Sequence, residues 1–441
     1  MWIQSNKREF FLMKASAVNL EKHVRALTDD IGVRLAGSPE EYKAAEYIRN
    51  EFLKYSPDAV IEEYPVRERC VESEKLEVCI DGKWEEFPCS LFSSATDTQG
   101  KTVTAELVFF DTATGYQRPD LSFLTGKAVV HLGCHIEDEN SYRRLMEAKP
   151  AFILFVDTRY TGTIPLADGL FPVYVKKYGA VPSLNVAYFD AWKWLKTKAS
   201  SARIAVTGGT RLSKTTVVVC EIKGTDPDNG IIFAGGHHDT QAGTVGADDN
   251  AIGSAAMIEL ARLLSQTPHK RTFRLISFGA EEQLSVGSAS YVRAHREEIE
   301  KNGIFMCNFD SFGSALGWMK FTMNTTPELN ALIAGHCHAH DVYYTETSAP
   351  CPYTDQFPFA ACKVPGLWIN RPNCTAGCYY HHRVDNSPDV LGFETAAHSV
   401  SAGAAIMAEL ADREDLSALT GIPADQQKLI DELFNAVYGG F

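Results

Sequence analysis

From residue 213 onward the chain alternates two textures. Apolar runs of strand length (216–222, 231–234, 273–278, 304–309 and 366–369) are separated by stretches of helical periodicity (251–265, 289–301, 327–340, 393–411 and 424–437). Strands joined by helices build a sheet whose two faces are covered. The expected fold class is therefore α/β, with a mixed, largely parallel sheet flanked by helices. In such sheets the residues that follow the carboxyl ends of the strands converge, so chemistry is sought there first.

The first 65 residues look helical. Ser38 reads as an N-cap, Pro39 as the first helical residue and Glu41 as the far half of a capping box. Tyr42, Ala45, Tyr47, Ile48, Phe52 and Leu53 recur at near-helical spacing, which predicts an amphipathic helix over 39–55. Between 66 and 212 short strand-like runs (76–80, 103–110, 128–132 and 152–156) alternate with turn residues, and one helical pattern falls at 141–148. The expected organisation is one discontinuous α/β domain, 1–65 with 213–441, split by a β-rich insertion at 66–212.

Composition excludes whole classes. With 45% hydrophobic and 22% charged residues in 441, the chain is neither disordered nor fibrous and buries a large core without disulfide staples. A formal net charge of −14 repels polyphosphate, which removes nucleic acid as a partner. The opening stretch MWIQSNKREFFLMKASAV has no apolar segment of signal-peptide character, and Met13 offers a second candidate start. No apolar run approaches the ~20 residues that span a bilayer. The 11 cysteines suit reduced thiols in the cytoplasm, which is the expected location. Cys374 and Cys378, four apart, leave a local disulfide as the alternative.

The chemistry sits after the strands. Gly235-Gly236-His237-His238-Asp239-Thr240 follows the second run, and Gly246-Ala247-Asp248-Asp249-Asn250 opens the next helix. Glu281 and Glu282 follow the third run, Asp310 the fourth, and Tyr380-His381-His382-Arg383-Val384-Asp385 lies beyond the last. Singly, an acid pair before a helix is a cap, and a lone His is a satisfied polar residue. Together, carboxyl groups gathered at one sheet end raise each other's pKa unless cations neutralise them. Imidazoles among them point to a borderline transition metal, zinc first.

Five segments, GGHHDT (235–240), GADDNAIG (246–253), AEEQLSVGS (280–288), NFDSFG (308–313) and YYHHRVD (379–385), resemble in order and spacing the motif set of the M28 family of zinc peptidases. These are co-catalytic two-zinc aminopeptidases and their relatives. The resemblance covers about 15–65 and 213–412, including the Gly-Ser-Pro-Glu helix start. The 66–212 stretch is similar to a protease-associated domain, through Gly126-Lys127-Ala128-Val129-Val130 and the helix and strand after it. The resemblance implies two Zn²⁺ per chain, with Co²⁺ or Mn²⁺ as substitutes. His237 and Asp310 would hold one ion, Glu282 and His381 the other, and Asp249 would bridge them. Asp239 would orient His237. Glu281 would be the general base, and Tyr380 would hydrogen-bond the tetrahedral intermediate. Three ligand carboxylates against two Zn²⁺ leave one net positive charge, which a bridging hydroxide fits.

Asp248 remains the alternative to Asp249, and His382 the alternative to His381. His238 reads as an ordinary pocket-lining residue. Gln356 stands where the family often has His. His336-Cys337-His338-Ala339-His340 is a compositional hint of a third metal site. The expected activity is removal of N-terminal residues from peptides, with no membrane partner and with a homo-oligomer allowed. The alternative is a carboxypeptidase or other amide hydrolase on the same centre, for which Arg371 is the candidate carboxylate contact and a loop ion pair its ordinary reading. A one-zinc glutaminyl cyclase-like transferase and a ligand-depleted receptor module both disagree with the intact motif set.

Overall fold

A computed structural model describes residues 13–441. The stretch before Met13, read above for a leader, lies outside the described residues. The central strands Ile231–His237, Thr272–Phe278, Gly303–Phe309 and Gly366–Asn370 pair in parallel around Ile231–His237. Their burial is nearly complete, as expected of strands with helices on both faces. Met319–Asn324 extends one edge antiparallel to Gly366–Asn370, and Tyr344–Thr347 then adds in parallel. These two strands carry no long apolar run, so periodicity misses them.

One face is covered by Ile252–Leu264, Phe393–Asp412 and Ala17–Arg25, which pack on one another. The other carries Val286–Ala294, Gln356–Ala361 and Ala424–Tyr438. The stretch expected as one helix over 289–301 is two, Val286–Ala294 and Arg296–Asn302, broken at His295. The helix Ile252–Leu264 lies tight on the sheet because Gly253 meets Gly236. A Cβ at Gly253 would stand 2.3 Å from the Phe309 carbonyl oxygen. We expect Gly253→Ala to lower unfolding free energy by about 1–3 kcal/mol, the usual cost of overpacking, with chemical denaturation as the measurement. A midpoint equal to the parent's contradicts this.

The expected capping box is half made. Ser38 Oγ accepts from Glu41 N at 3.2 Å, and Pro39 opens the helix Pro39–Phe52. Ser38 N, however, donates to the Leu35 carbonyl, and the Glu41 carboxylate turns inward to Gly37 N, Thr215 Oγ1 and Thr216 N. Glu41 is therefore a buried tether between helix and sheet, and burial pushes its carboxyl up to about 8.

The insertion is joined by a ribbon. Ala59–Ile80 and Ser201–Ile222 are antiparallel over their whole length, from Ala59↔Cys220 to Cys79↔Ser201 with one bulge at Val71/Ser73. The expected boundaries at 65/66 and 212/213 fall mid-strand, where Val66 faces Ser213. Thr272–Phe278 joins the inner end of this ribbon and Val103–Asp111 the outer end. From there Ala128–Leu132, Phe152–Val156 and Ser183–Val186 continue in parallel. The helices Glu139–Glu147, Pro172–Tyr178 and Tyr188–Lys196 accompany them. The insertion is thus a small α/β unit with its own apolar core around Trp194, Phe155 and Leu145.

Candidate metal centre

The strand Ile231–His237 delivers His237 fully buried at its carboxyl end. His237 Nε2 lies 3.2 Å from Asp249 Oδ1 and 3.4 Å from Asp310 Oδ1. Asp310 follows Gly303–Phe309, and its carbonyl is held by Trp368 Nε1 (3.0 Å) and Asn370 Nδ2 (3.3 Å). Asp249 comes from the irregular turn Ala247–Ala251, where its φ of −120° and ψ of 84° are not helical. That extended residue sends neighbouring side chains apart. Asp249 enters the cavity, whereas Asp248 Oδ1 accepts from Gly313 N at 2.7 Å in the interior. Burial pushes the Asp248 carboxyl up to about 7. The geometry favours Asp249, not Asp248, as the shared carboxylate.

A second group adjoins the first through Asp249. Its Oδ2 lies 2.9 Å from His381 Nδ1 and 3.4 Å from His382 Nε2. His382 Nε2 is 2.8 Å from Glu282 Oε2. Both imidazoles therefore stand at this position, where the resemblance implied His381 alone. Ligand-capable atoms cluster as His237–Asp249–Asp310 and Asp249–His381–His382.

Asp239 orders the acid pair. Its Oδ1 accepts from Glu281 N at 3.0 Å and its Oδ2 from Glu282 N at 3.2 Å, while Oδ1 also faces His237 Nδ1 at 3.4 Å. The carboxylate thus fixes the turn that carries both glutamates, while the Asp239 carbonyl meets His237 Nδ1 at 3.2 Å. Glu281 Oε2 reaches within 3.9 Å of His237 Nε2, and Ser285 Oγ donates to Glu281 Oε1 at 3.1 Å. Burial holds the Glu281 carboxyl well above the usual range, with Asp310, Asp355 and Glu282 adding to the rise against the opposing charge of His237.

Tyr380 departs from its expected role. Its hydroxyl donates to Ser314 Oγ at 2.6 Å and faces Asp248 Oδ2 at 3.5 Å, and Tyr380 does not line the cavity. It supports the loop that bears His381. His238 is likewise no lining residue. It sits between Ser277 Oγ and Thr216 Oγ1, both at 3.0 Å, and burial lowers its pKa to about 3, so it is a neutral core histidine. Gln356 accepts from Asn308 Nδ2 at 2.9 Å and tethers the strand that leads to Asp310. Arg371 Nε donates to the Ser314 carbonyl at 2.7 Å and does not line the cavity. The histidines of 336–340 have separate partners: His336 Nε2 bonds Glu409 Oε2 at 2.6 Å and His338 stacks on Tyr343. All 11 cysteines are free, and Cys378 Sγ points to Asp248 Oδ2 rather than to Cys374. Among the described residues no helix is long and apolar enough to cross a membrane.

These donors fit metal ions. His237 Nε2 and Glu282 Oε1 are buried with no hydrogen-bond partner, a costly arrangement for polar atoms that a cation relieves. The groups open into a cavity of about 430 Å³. More than a third of its wall comes from the insertion, with His135, Glu137, Arg159, Tyr160, Asp168 and Phe171 among those residues. Sequence reasoning missed these residues because they belong to no strand end of the main sheet, and only the fold of the ribbon brings them near.

Residues 217–404 match the model of peptidase family M28. This segment is similar to M28 peptidase domains. It contains every residue named above for the metal groups and the acid pair. Aminopeptidase YwaD of Bacillus subtilis is 26% identical over 302 residues, covering 67% of this chain and 62% of that relative. An aminopeptidase of Pseudomonas aeruginosa is 25% identical over 319 residues, covering 68% and 58%. The chain thus spans about 60% of the length of these curated relatives. Among solved structures, a zinc aminopeptidase from Bacillus subtilis superposes with a TM-score of 0.75 at 18% identity, over 93% of this chain and 99% of that one. A peptidase M28 precursor from Shewanella amazonensis gives 0.78 at 19% identity, over 94% and 97%. The likeness in fold therefore extends over the insertion as well as over residues 217–404.

Proposed function

We propose that this M28 chain is a zinc-dependent aminopeptidase that hydrolyses the N-terminal peptide bond of peptides with two metal ions and Glu281 as general base. The observation that carries the reading is the pair of ligand groups sharing Asp249, with Glu281 beside them. His237, Asp249 and Asp310 would hold one ion. Asp249, Glu282 and the His381–His382 pair would hold the other. Two ions so held would supply a water activated near neutral pH and a polarised carbonyl.

The chain's own groups handle the proton. Glu281 accepts it at Oε2 from the attacking water and delivers it to the leaving amine. Its Oε1 is already occupied by Ser285 Oγ, so the carboxylate is held with one oxygen toward the substrate. Asp239, which accepts from both backbone N–H groups, fixes the turn that carries base and ligand.

Charge on the cavity wall favours a substrate with a free amine. Beyond the three carboxylates that would be spent on the metal ions, Glu137, Asp168 and Glu281 line it. Arg159, the one arginine there among the described residues, is engaged by both oxygens of Asp157 at 3.0 and 3.1 Å. Arg371, the candidate for a C-terminal carboxylate, is turned to a backbone carbonyl. We therefore expect metal-loaded protein to cleave aminoacyl-anilides and to leave N-blocked peptides with a free C-terminus intact. The reverse preference, read by product release on such a panel, would favour the carboxypeptidase reading.

A further inference from the structure

The segment that follows the insertion's strand Phe152–Val156 lies against the loop bearing His381 and His382. Ala167 N donates to the His382 carbonyl at 3.0 Å. Tyr379 OH donates to the Thr161 carbonyl at 3.1 Å, and Tyr160 OH to the Ala376 carbonyl at 3.2 Å. The buried Arg383 guanidinium stacks over the rings of Tyr160 and Tyr379 at 5.0 and 5.2 Å. The loop is therefore clasped from the insertion at several points along its backbone.

Asp168 stands at the centre of this clasp. Its Oδ2 lies 3.1 Å from His135 Nδ1 and faces His382 Nδ1 at 3.8 Å. His382 Nδ1 is buried and has no hydrogen-bond partner, so Asp168 is the carboxylate available to it. The opposite ring nitrogen, Nε2, is the one turned to Glu282 and Asp249. A carboxylate behind one imidazole nitrogen sets which nitrogen carries the hydrogen, fixes the ring plane and leaves the other lone pair free for a metal.

We propose that Asp168 is a positioning residue for the second metal position, acting through His382, so that the insertion completes the metal centre as well as walling its cavity. This rests on the two-metal reading above. It makes His382 a ligand of the second ion and gives the insertion a role in the chemistry of a domain it interrupts.

The test uses the full chain, stripped of metal and titrated with Zn²⁺ against a chelating indicator, with Co²⁺ absorption as a second readout. The parent is expected to bind two ions. Asp168→Ala should bind the first ion with unchanged affinity and the second about 10–100-fold more weakly, with an altered Co²⁺ spectrum for the second equivalent alone. Asp168→Asn, which keeps an acceptor oxygen, should recover part of the loss and serves as the readout if the alanine variant fails to fold. Parent-like affinity and spectrum for both ions in the variants, even with a lowered Tm, overturns the proposal and leaves the two-metal reading standing. A parent chain that takes up fewer than two ions overturns that reading and the proposal with it.

Discussion

Glu281→Gln is expected to lower kcat by about 10²–10⁴-fold, the span of positioned acid–base catalysis, while metal content stays at the parent's level. The glutamine is nearly isosteric and keeps the bond from Ser285 Oγ to Oε1, so the turn fixed by Asp239 has no reason to move. It cannot accept a proton. The prediction separates base from ligand, because the adjacent Glu282 faces His382 at 2.8 Å and Glu281 has no such partner. Steady-state kinetics beside metal analysis checks it. Retained turnover would move the base elsewhere, and lost metal would make Glu281 a ligand.

Asp249→Ala should be more damaging to metal binding than any other single change. Each of the two ligand groups contains Asp249, one through Oδ1 and the other through Oδ2. Losing it removes a donor from both positions at once, so affinity for both ions should fall by more than the roughly 10–100-fold that an outer partner is worth. Activity should vanish with it. Asp248→Ala is the matched control: it strips an interior acceptor from Gly313 N, costs about 1–3 kcal/mol of stability for the group left unpaired, and leaves both ions bound. Zinc titration of the two variants distinguishes the roles. Loss of one ion only in Asp249→Ala would mean that the carboxylate does not bridge.

Much of the main sheet was legible because buried parallel strands are continuous apolar runs and their helices keep a 3.6-residue period. The functional positions at the strand ends came with the motifs rather than with periodicity. The strands Met319–Asn324 and Tyr344–Thr347 were not legible: the first is buried but intersperses Lys320, Thr322 and Asn324 among its apolar residues, and the second is a half-exposed edge that needs no apolar run. Neither was the full length of the ribbon, whose outward-facing residues are polar and read as turns. At the centre, residue identities point to a metal but orientation does not follow from them. Adjacent Asp248 and Asp249 diverge because of one extended backbone, and His381 and His382 stack at 3.5 Å between ring centres, so both reach the same carboxylate. Asp168 had no signal at all: it precedes a glycine in a turn-rich stretch, and its approach to His382 depends on three-dimensional folding of a different unit.

The ribbon that joins the insertion also limits how the protein can work. A flexible linker would let the insertion swing like a flap on a hinge. A two-stranded ladder running from Ala59↔Cys220 to Cys79↔Ser201 passes torque instead, and displacing its outer end means shearing backbone pairs or bending at the single bulge. The ribbon therefore resists the swing that would widen the mouth of the cavity, and under the function proposed above it favours selection by the shape of the aperture over a gate that closes behind the substrate.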